Sequence, residues 1–177
     1  MNIIREACVG SVEQAMIAEK RKADRVELCS RLDLDGLTPD RKIIERTMNL
    51  LSIPVKIMIR PRSGNFIYSK QDILKMESEI DFCKKIGVSE VVFGILNENS
   101  EVDIELTNAI AKKATPMDIT FHKAIDHVSD IERNLERLSD VKEITSILTS
   151  GGKDSALNGQ DMIKDIIKQF SSRFKII

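Results

Sequence analysis

Ile3-Ile4-Arg5-Glu6-Ala7-Cys8, then the stretch 11–18, then Arg25-Val26-Glu27-Leu28-Cys29: this opening contains one complete folding unit. Its two ends are short, apolar-rich runs, as in strands covered on both faces. Its middle places Val12, Ala15, Met16 and Ala18 at helical spacing behind Ser11, a residue type that caps helix N-termini. Strand, helix and strand within so short a stretch make a right-handed βαβ unit with parallel strands. The alternation then repeats. Further strands are predicted at 55–59, 90–93, 118–122, 143–148 and 174–177, with helices opening behind Asp40, Ser69, Asp103, Asp130 and Asn158 or Gly159.

Two architectures accommodate such a series, a doubly wound sheet and a barrel. The dinucleotide fingerprint is missing after the first strand, which is followed by Gly10 alone. Polar residues end almost every strand, whereas an open sheet gathers its ligands at one switch point. The expected fold is therefore α/β, a TIM-type (β/α) barrel occupying 1–177 as a single domain. A closed barrel needs eight strands, and at about 27 residues per unit the chain supplies roughly six and a half units. The expectation is thus a barrel lacking its last one to two units, truncated at the C-terminus or sealed at its open edge by a partner chain.

Composition excludes several classes of function. Lys plus Arg number 27 against 28 Asp plus Glu, a net charge of −1, so bulk charge holds neither nucleic acid nor an anionic membrane. Aromatics are 4% of the residues, too few for a base-stacking platform. No apolar run reaches the ~18 residues of a membrane span. Three cysteines and an N-terminus unlike a signal peptide lead us to expect free thiols in a reducing cytoplasm.

The strand ends carry the chemistry. Glu6-Ala7-Cys8 closes the first strand and Glu27-Leu28-Cys29 the second. In each, Glu and Cys are two apart and share a face, and neighbouring strands lie about 4.8 Å apart. Two thiols so placed suit a soft ion such as Cu(I). The plainer alternative is that each cysteine packs as a small hydrophobe, as Cys83, on a predicted helix, is expected to do.

The third strand ends in Arg60, followed by Pro61-Arg62-Ser63-Gly64. Arg60, aided by Arg62, is a candidate clamp for an anion, or else a structural partner of Glu6 or Glu27. The fifth ends in His122, a candidate acid/base or metal ligand, with Asp126 placed to orient it or to cap a helix and His127 expected at the surface. The sixth leads into Ser150-Gly151-Gly152, whose backbone N–H groups are free to approach an anion or to form a tight turn. These residues frame an enzyme reading: Glu6, Glu27, Arg60 and His122 catalytic, and Arg60, Arg62, Ser150, Gly151 and Gly152 binding a small carboxylate or phosphate. No HExxH, CxxC or GxSxG motif occurs.

Several blocks together resemble the CutC copper homeostasis family: Glu6-Ala7-Cys8-Val9-Gly10-Ser11, Arg25-Val26-Glu27-Leu28-Cys29-Ser30, Gly36-Leu37-Thr38-Pro39, Ile57-Met58-Ile59-Arg60-Pro61-Arg62, Val92-Phe93-Gly94, Thr120-Phe121-His122-Lys123-Ala124 and Leu148-Thr149-Ser150-Gly151-Gly152. They are collinear and cover nearly the whole chain. The resemblance implies a TIM-type barrel, a cytoplasmic homodimer or larger oligomer, and copper handling with Cys8 and Cys29 as Cu(I) ligands. Ser63 and Asn65 stand where the family usually has Gly and Asp, and Lys123 where it has Arg.

Overall fold

A computed structural model describes residues 4–177, which form two compact units, residues 4–64 with 70–92, and residues 65–69 with 93–177. The first unit holds strands β1 (Glu6–Val9), β2 (Arg25–Leu28), β3 (Val55–Met58) and all but the last residue of β4 (Glu90–Phe93), with helices α1 (Val12–Lys20), α2 (Arg41–Leu50) and α3 (Lys70–Lys85). The second holds β5 (Asp118–Phe121), β6 (Ile144–Ile147) and β7 (Lys175–Ile176), with α4 (Ile104–Ala114), α5 (Ile131–Leu138) and α6 (Gln160–Phe170). Pairing is parallel in both units and follows chain order, β1 to β2 to β3 to β4 and β5 to β6 to β7. Strand order without reversal belongs to a TIM-type (β/α) barrel rather than a doubly wound sheet.

Local chemistry sets the helix starts. Ser11 Oγ accepts from Gln14 N at 3.2 Å, Asp40 Oδ1 from Lys42 N at 2.8 Å, Asp103 Oδ1 from Leu106 N at 3.0 Å and Asp130 Oδ1 from Arg133 N at 3.0 Å, each satisfying a donor the helix cannot. Gly159 caps α6 for another reason. A Cβ there would lie 1.8 Å from the Ser150 carbonyl oxygen, so only glycine permits this backbone approach.

Register then builds the site. Cys8 faces Glu27, Glu27 faces Lys56 and Lys56 faces Glu90, a polar row across four strands. One step further along, Cys29, Met58 and Val92 form a buried apolar row. Period-2 alternation puts Glu6 and Cys8 on one face of β1, and Lys56 and Met58 on one face of β3. β4 matches its predicted run, β1 starts at Glu6 and runs one residue past the predicted Cys8 to Val9 (Ile3 of that run lies outside the described residues), and the other strands are a residue or so shorter than the apolar runs that announce them, because hydrogen-bond pairing ends before the buried side chains do. Cys29 still donates its N–H to Val9 O at 2.9 Å, beyond the end of β2.

Candidate metal centre

Cys8 at β1 and Cys29 just past β2 bring their sulfurs to 3.8 Å. Glu27 Oε1 lies 3.5 Å from Cys29 Sγ and 3.9 Å from Cys8 Sγ. The three donor atoms lie within 4.8 Å of one another. Cys8 is exposed while Glu27 and Cys29 are buried, so the group has one open side. The loop after β2 closes the other. Gly36, at φ +83°, comes so near that a Cβ there would lie 3.1 Å from Cys29 Sγ. The donor set fits Cu(I), since two thiolates are the soft ligands that ion selects and a carboxylate is a weak competitor.

Burial, reinforced by the nearby Glu6 carboxylate, pushes the Glu27 carboxyl up to about 7, against the opposing pull of the Cys29 thiol and Lys56. The hydrogen bond with Cys8, then burial, then the Glu27 charge push the Cys29 thiol far above its ordinary range. Glu27 and Cys29 therefore hold their protons more tightly than ordinary groups of their kind, and a cation binding there must displace them.

Beneath the thiols lies an ionic network that the sequence reading missed. Lys56, its side chain 1% exposed, pairs with Glu6 Oε2 at 3.0 Å and Glu90 Oε1 at 2.7 Å, and Glu6 also pairs with Arg25. Lys56 was visible as a signal, because it shares the alternating face of Met58 and Arg60. A lysine two residues inside a buried strand needs carboxylates around it. Glu6, a candidate catalytic group, is thus held by two cations.

Arg60 is buried and donates to three carbonyls, Leu34 O at 2.8 Å, Gly36 O at 3.2 Å and Gly64 O at 3.0 Å. It ties the loop over Cys29 to the loop after β3. Arg62 pairs with Asp72 at 3.2 Å and donates to Ser63 O at 3.0 Å. Cys83 lies buried in α3, where burial first and the Glu79 charge second push its thiol up to about 12, as a core cysteine should behave.

The remaining candidates belong to the second unit. His122 is 3% exposed, and its Nδ1 accepts the Ala124 N–H at 3.1 Å, capping a short 3-10 helix at Lys123–His127. Its ring packs 4.9 Å from that of Phe66. A Cβ at Gly94 would come within 2.6 Å of Nδ1, so glycine there makes the seat for the imidazole. His127 is exposed. Asp126 turns its carboxylate onto the double-glycine turn. It accepts from Thr149 Oγ1 at 2.5 Å, Ser150 N at 2.8 Å and Gly152 N at 2.9 Å. The sequence leaves this segment open between an anion site and a tight turn, and its Ser150 and Gly152 N–H groups close on a carboxylate of the chain itself while Gly151 N donates to Thr149 Oγ1. A carboxylate 26 positions from Gly152 was not readable as its occupant from spacing alone.

Among known proteins, residues 3–177 match the model of the CutC family. A CutC family protein of Histophilus somni is 37% identical over 172 residues, which is 97% of this chain and 70% of that one. A human protein named copper homeostasis protein cutC homolog is 40% identical over 174 residues, 98% of this chain and 63% of that one. The crystal structure of a protein from Streptococcus agalactiae, titled as CutC, superposes with a TM-score of 0.92 at 28% identity, covering 99% of this chain and 86% of its own. A dihydrodipicolinate synthase from Bacillus anthracis superposes at 0.70 with 13% identity, covering 99% and 63%, a likeness of barrel fold alone. No helix among the described residues is long and apolar enough to cross a membrane. Sequence blocks, strand order and paired cysteines at adjoining strand ends converge on one assignment: the chain belongs to the CutC family.

Proposed function

We propose that this protein binds Cu(I) through the thiolates of Cys8 and Cys29 and serves copper homeostasis. The observation that carries the reading is the 3.8 Å approach of the two sulfurs, one exposed and one buried, beside a carboxylate. Cu(I) enters from the Cys8 side and displaces the thiol protons. Glu27 lies within 3.9 Å of both sulfurs, placed to accept a proton as they ionise. Free thiols of this kind need a reducing compartment. The alternative, an enzyme for a small anion, draws less support. The Arg60 guanidinium is committed to three carbonyls and the double-glycine turn to Asp126.

Competition for Cu(I) against a chromogenic chelator, under anaerobic reducing conditions, tests the proposal. Removing an outer partner of a metal ligand costs 10–100-fold, so Cys8→Ser and Cys29→Ser, each losing a ligand, should weaken binding by roughly 100-fold or more. Binding should also tighten with rising pH, because protons are released. Unchanged affinity in both variants would sink the copper site. A thermal shift with phosphate that Arg60→Ala abolishes would instead favour the anion enzyme.

A further inference from the structure

The same two sulfurs have the arrangement of a redox pair. Cys8 lies opposite Glu27, so Cys29, two residues on, sits diagonally across adjacent parallel strands on the same face. A disulfide forms at about 2.05 Å between sulfurs with Cα atoms roughly 4.4–6.8 Å apart, and a diagonal pair on neighbouring strands starts at roughly 7–8 Å, so closing the 3.8 Å gap takes side-chain rotation together with a small inward movement of the chain at Cys29, just past the end of β2. The two thiols also differ in access. Cys8 is exposed, whereas Cys29 is 1% exposed beneath the Gly36 loop. Attack from solvent falls on Cys8, with Cys29 in place as its resolving partner.

We infer that Cys8 and Cys29 form a reversible disulfide when a peroxide reaches Cys8, and that the disulfide closes the metal site. The Cys8 sulfur attacks the O–O bond and takes one oxygen as sulfenic acid. The other oxygen leaves as water, with the thiol proton. The Cys29 sulfur then displaces hydroxide from the Cys8 sulfur, and hydroxide and the Cys29 proton depart as a second water. Two thiols lose two electrons and one peroxide becomes two waters; a small dithiol reverses the step by exchange. Disulfide formation stands without the copper reading, whereas closure of the metal site rests on it.

The test uses the reduced full chain treated with one equivalent of hydrogen peroxide, then thiol counting and non-reducing peptide mapping. Two of the three thiols should disappear, the mass should fall by two hydrogens, and a Cys8–Cys29 linked peptide should appear that dithiothreitol removes. Cys83→Ala should retain the link. Cys29→Ser should stop with one oxygen on Cys8, trapped by dimedone, and Cys8→Ser should leave Cys29 reduced. Wild-type protein that collects two or three oxygens on Cys8 with no linked peptide overturns the inference. So does linkage between molecules alone. Cu(I) uptake by the oxidised protein is the second readout. A disulfide with unchanged Cu(I) binding refutes the copper site and leaves the redox pair standing. Cu(I) binding by reduced protein that never forms the disulfide refutes the redox pair alone.

Discussion

At Glu27, burial and the neighbouring Glu6 carboxylate raise the carboxyl from an ordinary 4.5 to about 7. A carboxyl raised in the folded state holds its proton more tightly there than in the unfolded chain. Its contribution is most favourable below pH 4.5, declines as pH rises through the window from 4.5 to about 7, and levels off above. At about 1.4 kcal/mol per pH unit, the decline amounts to roughly 3 kcal/mol. Glu27→Gln removes it. Relative to wild type, the variant should gain roughly 3 kcal/mol of stability between pH 4 and pH 8 by this conversion, measured by urea denaturation of both proteins across the range. A difference between the two that does not change with pH would show that Glu27 is not the buried acid described above. The Glu-x-Cys spacing was legible in the sequence, and so was its shared face. That Glu27 is buried and Cys8 exposed was not, because burial depends on which elements cover a strand end.

Among the elements, β3 carries the heaviest electrostatic demand. Its Lys56 is sealed from solvent between Glu6 of β1 and Glu90 of β4. Breaking a buried ion network by removing one partner leaves the others uncompensated and costs about 3–5 kcal/mol. Lys56→Met should therefore lower the urea midpoint sharply, and adding Glu90→Gln should recover part of the loss. If the single variant unfolds at the wild-type midpoint, the network is structurally idle. The strand itself was legible from its apolar run and Lys56 from its alternation. The partners were not, since Glu6 and Glu90 come from strands 50 and 34 positions away and meet Lys56 only through parallel register. The same reason hid Asp126. Its role in filling the double-glycine turn follows from the pairing of β5 with β6, not from any local spacing.

For the whole molecule, metal binding is tied to folding, because the thiol pair exists only when β1 and β2 are paired. A ligand bound by the folded state alone, at a hundred times its Kd, stabilises by about 2.7 kcal/mol. Cu(I) should therefore raise the thermal midpoint of the reduced wild type, and should leave the Cys8→Ser/Cys29→Ser double variant unmoved. An equal rise in both would place the metal elsewhere. Local sequence already carries the alternation of strands and helices, the caps at Ser11, Asp40, Asp103 and Asp130, and the two Glu-x-Cys strand ends, because periodicity, capping and turn chemistry act over a few residues. It also carried the family, whose blocks run collinearly from Glu6 to Gly152. Packing in three dimensions is what leaves Cys8 open and Cys29 closed, has Arg60 brace loops, sets Lys56 between two carboxylates and turns Asp126 onto the double-glycine turn. Each of those depends on strands and loops meeting in space, as Lys56 meets Glu6, Arg60 meets Leu34 and Asp126 meets Ser150, and free energy there is set by desolvation and pairing in space, which no local pattern encodes.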